Sequence, residues 1–153
     1  MYVEYSRDPA LWPDVISDHF RSYILLNRPN QMYGDISASE IHGTGPTGTW
    51  KRSFKESYFY RVMANGETVK REWLIYSGTT GSVYCYICKL FAKTKTAISL
   101  HGIKDWKNIN ARLSEHENSS GHKNAMCCAL FRSKTKGRID EKLASQMNAE
   151  RQY

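Results

Sequence analysis

The sequence predicts an α+β fold, a small β-hairpin-plus-helices domain with a helical extension in front of it. Three observations carry this expectation. Two runs rich in β-branched and aromatic residues, Arg71 to Ser77 and Ser82 to Ile87, flank Gly78-Thr79-Thr80-Gly81, which reads as a hairpin turn. Trp106, Ile109, Leu113 and His116 recur at steps of three, four and three, one face of a helix. A Cys-x-x-Cys pair on or just past the second strand is followed by two histidines, a set able to tie hairpin to helices through a metal ion.

The elements follow in order. Pro13 suits a first helical position, and Val15, Ile16, Phe20, Tyr23 and Ile24 sit at helical spacing until Pro29 ends the helix by about Asn27. Residues 28–49 carry Gly34, Gly43, Gly45, Pro46 and Gly48 with no apolar period, so a loop or linker is expected. A second helix is expected from Ser53, with Glu56 completing a capping box and Phe54, Tyr58 and Met63 on its buried side, although Tyr58-Phe59-Tyr60 also suits a strand. After the hairpin and a polar stretch, a helix is expected over 104–116, broken by Asn118-Ser119-Ser120-Gly121. Another follows from about Gly121 through Ala125, Met126, Ala129 and Leu130, and a last one over 139–152. The boundaries that result are 1–50 for the extension, 51–135 for the finger domain and 136–153 for a C-terminal helix.

Composition bounds the function. The 153 residues carry 41% hydrophobic and 12% aromatic side chains, which is not a disordered composition. The longest aliphatic run, Ile24-Leu25-Leu26, is far short of a membrane helix, and Met1 to Tyr5 lack a secretory pattern, so an intracellular, soluble protein is expected. Charge is uneven. Residues 1–50 hold three basic and six acidic side chains, a net of −3, whereas residues 51–153 carry a net of +10. Residues 89–138 alone hold eleven Lys or Arg against three acids, which points to a polyanionic partner. A solvated lysine-rich face is the plainer alternative.

The chemistry rests on Cys85-x2-Cys88 followed by His116 and His122, with 27 residues between second cysteine and first histidine and five between the histidines. Two thiolates and two imidazoles are the donors of a closed, tetrahedral zinc site, and four protein ligands leave no position for a hydrolytic water. In a region of this size, zinc binding at ~10–16 kcal/mol supplies much of the folding energy. A redox dithiol would want a strand-to-helix βαβ setting that the sequence lacks. A metal-nuclease reading of His116-Glu117-Asn118…His122 lacks a second acidic cluster. His101 has no paired partner, Cys127 and Cys128 are expected as small buried hydrophobes, and His19 and His42 complete no catalytic arrangement, so no enzyme activity is expected of this chain.

Asn65-Gly66-Glu67, Arg71-Glu72-Trp73-Leu74-Ile75-Tyr76-Ser77 and Tyr84-Cys85-Tyr86-Ile87-Cys88-Lys89-Leu90-Phe91 resemble the TTF-type zinc finger. That finger belongs to hAT-superfamily transposases and to host proteins derived from them, including zinc finger MYM-type proteins. Gly102-Ile103-Lys104-Asp105-Trp106-Lys107 and Ser114-Glu115-His116…Gly121-His122 continue the resemblance, which spans roughly residues 8–145. It implies zinc at Cys85, Cys88, His116 and His122, binding to transposon ends or chromosomal DNA in the nucleus, and a catalytic body beyond this chain that carries the acidic triad.

Duplex DNA is therefore the expected partner, with a homodimer or a protein partner through the missing C-terminal region as further expectations. Lys104, Lys107, Asn108 and Arg112 should project from the polar side of the 104–116 helix, and Lys123 and Asn124 from the start of the next. Arg132, Lys134, Lys136 and Arg138 should add phosphate attraction or form an import patch, and Trp106 should be core rather than a base-stacking platform. The competing function is a zinc-stabilised protein-interaction module that binds an acidic partner or itself.

Overall fold

A computed structural model describes residues 6–135; the predicted 139–152 helix and the cations Lys136 and Arg138 fall outside that range. A 3-10 turn at Pro9–Leu11 leads to helix α1, Asp18–Leu26. α1 starts five residues later than Pro13 suggested, because Ser17 is its N-cap: the Ser17 hydroxyl accepts from the Phe20 amide at 3.1 Å. Val15, counted towards the apolar stripe, is 83% exposed, whereas Phe20 and Ile24 are buried.

Residues 28–49 are not the expected loop. They hold β1 (Met32–Tyr33), a 3-10 turn at Ile36–Ser39 and β2 (Ile41–Gly45), which pairs antiparallel with β3 (Gly48–Arg52) across Pro46-Thr47. This hairpin escapes a periodicity test because its strands bury little: β2 alternates half-buried and exposed, and β3 is exposed up to Arg52. Gly43 lies opposite Trp50, and a Cβ there would stand 2.0 Å from the indole, so the glycine makes room for the ring.

The helix expected from Ser53 is also absent. Ser53 caps nothing, and a 3-10 turn at Glu56–Phe59 runs into β4 (Tyr60–Val62), paired with β5 (Thr68–Lys70). Phe54, Tyr58 and Met63 are nonetheless buried, as expected. The predicted hairpin then appears as β6 (Leu74–Ser77) and β7 (Ser82–Cys85), all eight residues buried, with β1 adding a parallel strand along β6. Gly81 in its turn has φ +65°, and a Cβ there would meet the Ala38 carbonyl oxygen at 2.0 Å, so the turn docks flush on the 36–39 segment.

Helix α2 (Tyr86–Phe91) leaves β7 directly, cutting the expected strand short at Cys85. α3 (Ala97–Leu100) follows, then α4 (Ile109–Asn118) and α5 (Ser120–Thr135). α4 starts at Ile109 rather than Lys104. Asp105 accepts from both the backbone amide and the side-chain amide of Asn108, and that local turn displaces the first helical turn. The α+β class is thus as predicted.

One core joins all of this. Trp12, Phe20 and Ile24 from the N-terminal stretch pack in the same cluster as Trp73, Tyr76, Ile87, Trp106 and Leu113. Directional bonds reinforce the join: Trp106 Nε1 donates to Ser39 O at 2.7 Å, Tyr76 Oη to Asp35 O at 2.6 Å, and Arg21 Nε to Leu90 O at 2.7 Å. No described helix is long and apolar enough to cross a membrane.

Candidate metal centre

The Cys-x-x-Cys pair sits where β7 becomes α2. Cys85 is the N-cap of α2, its sulfur accepting from the Cys88 amide at 3.4 Å, so the turn aims both sulfurs to one side. A strand-to-helix junction is therefore present after all, but β6 and β7 run antiparallel and, among the described residues, no βαβ unit encloses it. What faces the sulfurs instead is a pair of imidazoles.

His116 lies in the last turn of α4 and His122 in the first turn of α5. Ser119 joins them: its hydroxyl donates to His116 O at 2.6 Å and accepts from the His122 amide at 3.2 Å. One hydroxyl thus closes one helix and opens the next, which sets the angle between the two ring-bearing turns.

The four donor atoms converge. Cys88 Sγ lies 3.5 Å from His116 Nε2 and 3.5 Å from His122 Nδ1, and Cys85 Sγ lies 3.6 Å from His122 Nδ1. A tetrahedral zinc with bonds of about 2.3 Å to sulfur and 2.0–2.1 Å to nitrogen would separate S and N by roughly 3.6 Å. All four atoms fall within 4.8 Å of one another, so the residues present fit the ion in donor type and in spacing. Cys85, Cys88 and His122 are buried and His116 is half-buried, so the site is sequestered from bulk water. Hydrogen bonding from Cys85, then from His116 and His122, holds the Cys88 thiol well below its usual range, whereas burial pushes Cys85 up.

Two side chains outside the expected ligand set hold this site in place. The Trp73 ring packs against both imidazoles, with centroids at 5.2 Å from His116 and 4.9 Å from His122. Glu117, next to His116 and fully buried, accepts from Arg71 Nε at 3.1 Å and Nη2 at 3.0 Å; Arg71 Nη1 donates to the Tyr58 and Tyr60 carbonyls. This fork ties the end of α4 to β4 and fixes the helix that presents His116. A run of charges such as Glu115-His116-Glu117 reads as a solvated helix end, so only the fold reveals which acid turns inward. Ser119 did carry a signal, as a serine ahead of a new helix.

Other predicted residues fall outside the centre. His101 is the exposed C-cap of α3. Cys127 and Cys128 are exposed, correcting the expectation that they are buried, because Ala125, Met126, Ala129 and Ser133 take the inward face of α5. Lys104 and Lys107 precede α4 rather than ride on it, and Asn108 is its N-cap; all three are exposed. Arg112 is on α4, 3.9 Å from Asp105. Lys123 and Asn124 are exposed on the first turns of α5, and Lys134 is exposed near its end. Arg132 reaches back to α1, donating to Asp18 O at 2.7 Å and Ser22 Oγ at 2.9 Å. Trp106 is core, as predicted.

Comparison with curated proteins places these residues in a known context. Zinc finger MYM-type protein 5 of Homo sapiens is 35% identical over 123 residues, which cover 80% of this chain. The chain is homologous to zinc finger MYM-type protein 5. The Macaca fascicularis protein of that name is 34% identical over 123 residues, and the Mus musculus one 32% over 120. The chain spans less than a fifth of these relatives: 17% of the human and macaque proteins and 18% of the mouse one. No family model matches the chain, and neither does any solved structure. The homology supports a zinc finger, and Cys85, Cys88, His116 and His122 form a potential zinc site. An ion held by all four would have its coordination complete and would act on folding rather than on a substrate.

Proposed function

We propose that this chain is a zinc-stabilised module that binds duplex DNA in the nucleus, as part of a transposase-derived protein and without catalytic activity of its own. Cys85, Cys88, His116 and His122 hold the ion, and zinc binding fixes α2, α4 and α5 against the hairpin. The observation that carries the reading is the setting of the donor cluster. Lys104, Lys107 and Asn108 ahead of α4, and Lys123 and Asn124 beside His122 at the start of α5, are all exposed, in the part of the chain with the densest positive charge. Asn108 and Arg112 are the candidate base readers, and the lysines position the backbone. Lys134 adds phosphate attraction. Arg132, engaged with α1, contributes less than its charge suggests.

The test is a selection from a random duplex pool with the zinc-loaded chain, beside a Cys85→Ser/His122→Ala control, at near-physiological salt. An enriched motif that the control loses supports the reading. Absence of any retained duplex overturns it.

A second reading, a protein-interaction module, is favoured by one feature. Leu11, Val15, Val62 and Phe131 expose large apolar side chains, from 58% to 83% of their surface. Salt separates the two: phosphate binding weakens steeply as salt rises, and an apolar interface does not.

A further inference from the structure

A cationic concavity lies away from the exposed side of α4. It is a groove of about 350 Å³ between β3 with its following segment and the turn before α4. Lys51, Arg52 and Lys55 line one side and Lys107 the other, while Tyr58 and Trp106 form the floor. The two rings stack with centroids 5.9 Å apart and planes 7° apart, and both belong to the core, so the floor is rigid. Lys51 pairs with Glu40 at 3.0 Å, which offsets one charge. Arg52 lies over the Trp50 ring, 4.2 Å from its centroid, and Trp50 in turn needs the space Gly43 leaves. The guanidinium is thereby pre-oriented rather than free to sample rotamers. Lys55 and Lys107 are exposed and have no acidic partner among the described residues.

We infer that this groove seats the phosphate backbone of duplex DNA, with the β2–β3 hairpin as a second element of the DNA interface beside α4. Two separate stretches of chain, 51–55 and the turn that holds Lys107, supply the cations from opposite sides, so the groove matches a line of phosphates rather than a single anion. A two-stranded ribbon is also one of the shapes the ~12 Å major groove admits. The uncompensated charge is +3 after Glu40 is subtracted from four cations. The inference rests on the DNA reading above and assigns part of its surface.

The experiment is fluorescence anisotropy of a labelled random-sequence duplex with the zinc-loaded 153-residue chain, at several salt concentrations from 50 to 200 mM, for the wild type and for Arg52→Ala/Lys55→Ala. Zinc content and thermal unfolding of each protein are recorded alongside. Two lost phosphate contacts lower the salt slope by about 1.8, so between 50 and 200 mM the wild type loses about 12-fold more affinity than the variant. A variant whose slope matches the wild type overturns the groove and leaves the DNA reading standing. A wild type that binds no duplex at 50 mM overturns both. If polyglutamate of equal charge displaces the duplex as well as unlabelled duplex does, the occupant is an acidic protein and the assignment to DNA is overturned.

Discussion

Replacing Glu117 by Ala should be among the costliest single changes outside the four sulfur and nitrogen donors. Glu117 is fully buried and Arg71 almost so, and the carboxylate takes two hydrogen bonds from the guanidinium at 3.0 and 3.1 Å. Arg61 Nε stands 3.5 Å away as a second cation. Removing the acid leaves the Arg71 charge buried with only carbonyl partners, a loss of roughly 3–5 kcal/mol for breaking one side of such a pair. Because metal binding and folding are coupled, that loss should appear in zinc affinity as a drop of about 10²–10⁴-fold, at 1.4 kcal/mol per decade. Competitive titration against a zinc-binding dye gives the affinity, and far-UV circular dichroism in urea gives the stability. Arg71→Met/Glu117→Leu removes both charges and should recover most of the loss, since the cost lies in the orphaned charge. If Glu117→Ala changes zinc affinity less than threefold, the fork does not hold α4 and the reasoning fails.

Ser119→Ala removes one donated and one accepted bond at the joint between His116 and His122, and should lower stability by about 1–2 kcal/mol, with Ser119→Thr restoring it; equal stabilities for all three proteins would refute the joint. Gly81→Ala forces a left-handed φ on a residue with a Cβ and drives it into the Ala38 carbonyl, for a loss of roughly 2–5 kcal/mol in urea unfolding; a loss below 1 kcal/mol would mean the turn does not dock there. Cys127→Ser/Cys128→Ser should change stability by no more than ~0.5 kcal/mol and leave one zinc bound per chain by elemental analysis, whereas a lost zinc would place one of them among the ligands.

What could be read from the residues was what depends on chemistry and short-range geometry. The 74–85 hairpin announced itself through β-rich runs around a Gly-Thr-Thr-Gly turn, and the donor set through residue type and spacing, because sulfur and imidazole in that order have few other uses. The failures have separate causes. The β2–β3 hairpin buries almost nothing, so hydrophobic periodicity had no signal to detect. The helix expected from Ser53 lost to tertiary pairing of β4 with β5. The first turn of the 104–116 helix lost to an Asp105–Asn108 side-chain bond and to the indole of Trp106 reaching Ser39. Glu117 and Arg71, 46 residues apart, meet only once the chain has folded.

The stitching of the N-terminal stretch into the core bears on how such a finger travels as a unit. A fragment cut at residue 51 would keep all four donors, yet it would strip Trp12, Phe20 and Ile24 from the packed interior. It would also unpair one edge of β6 from β1 and orphan the indole of Trp106 and the phenol of Tyr76. The smallest piece that can be grafted, expressed or inherited intact is therefore set by where its aromatic rings find their carbonyls, not by the first and last residue that faces the ion. Recombination that shuffles this module between longer proteins must carry the leading segment along with the zinc-facing one.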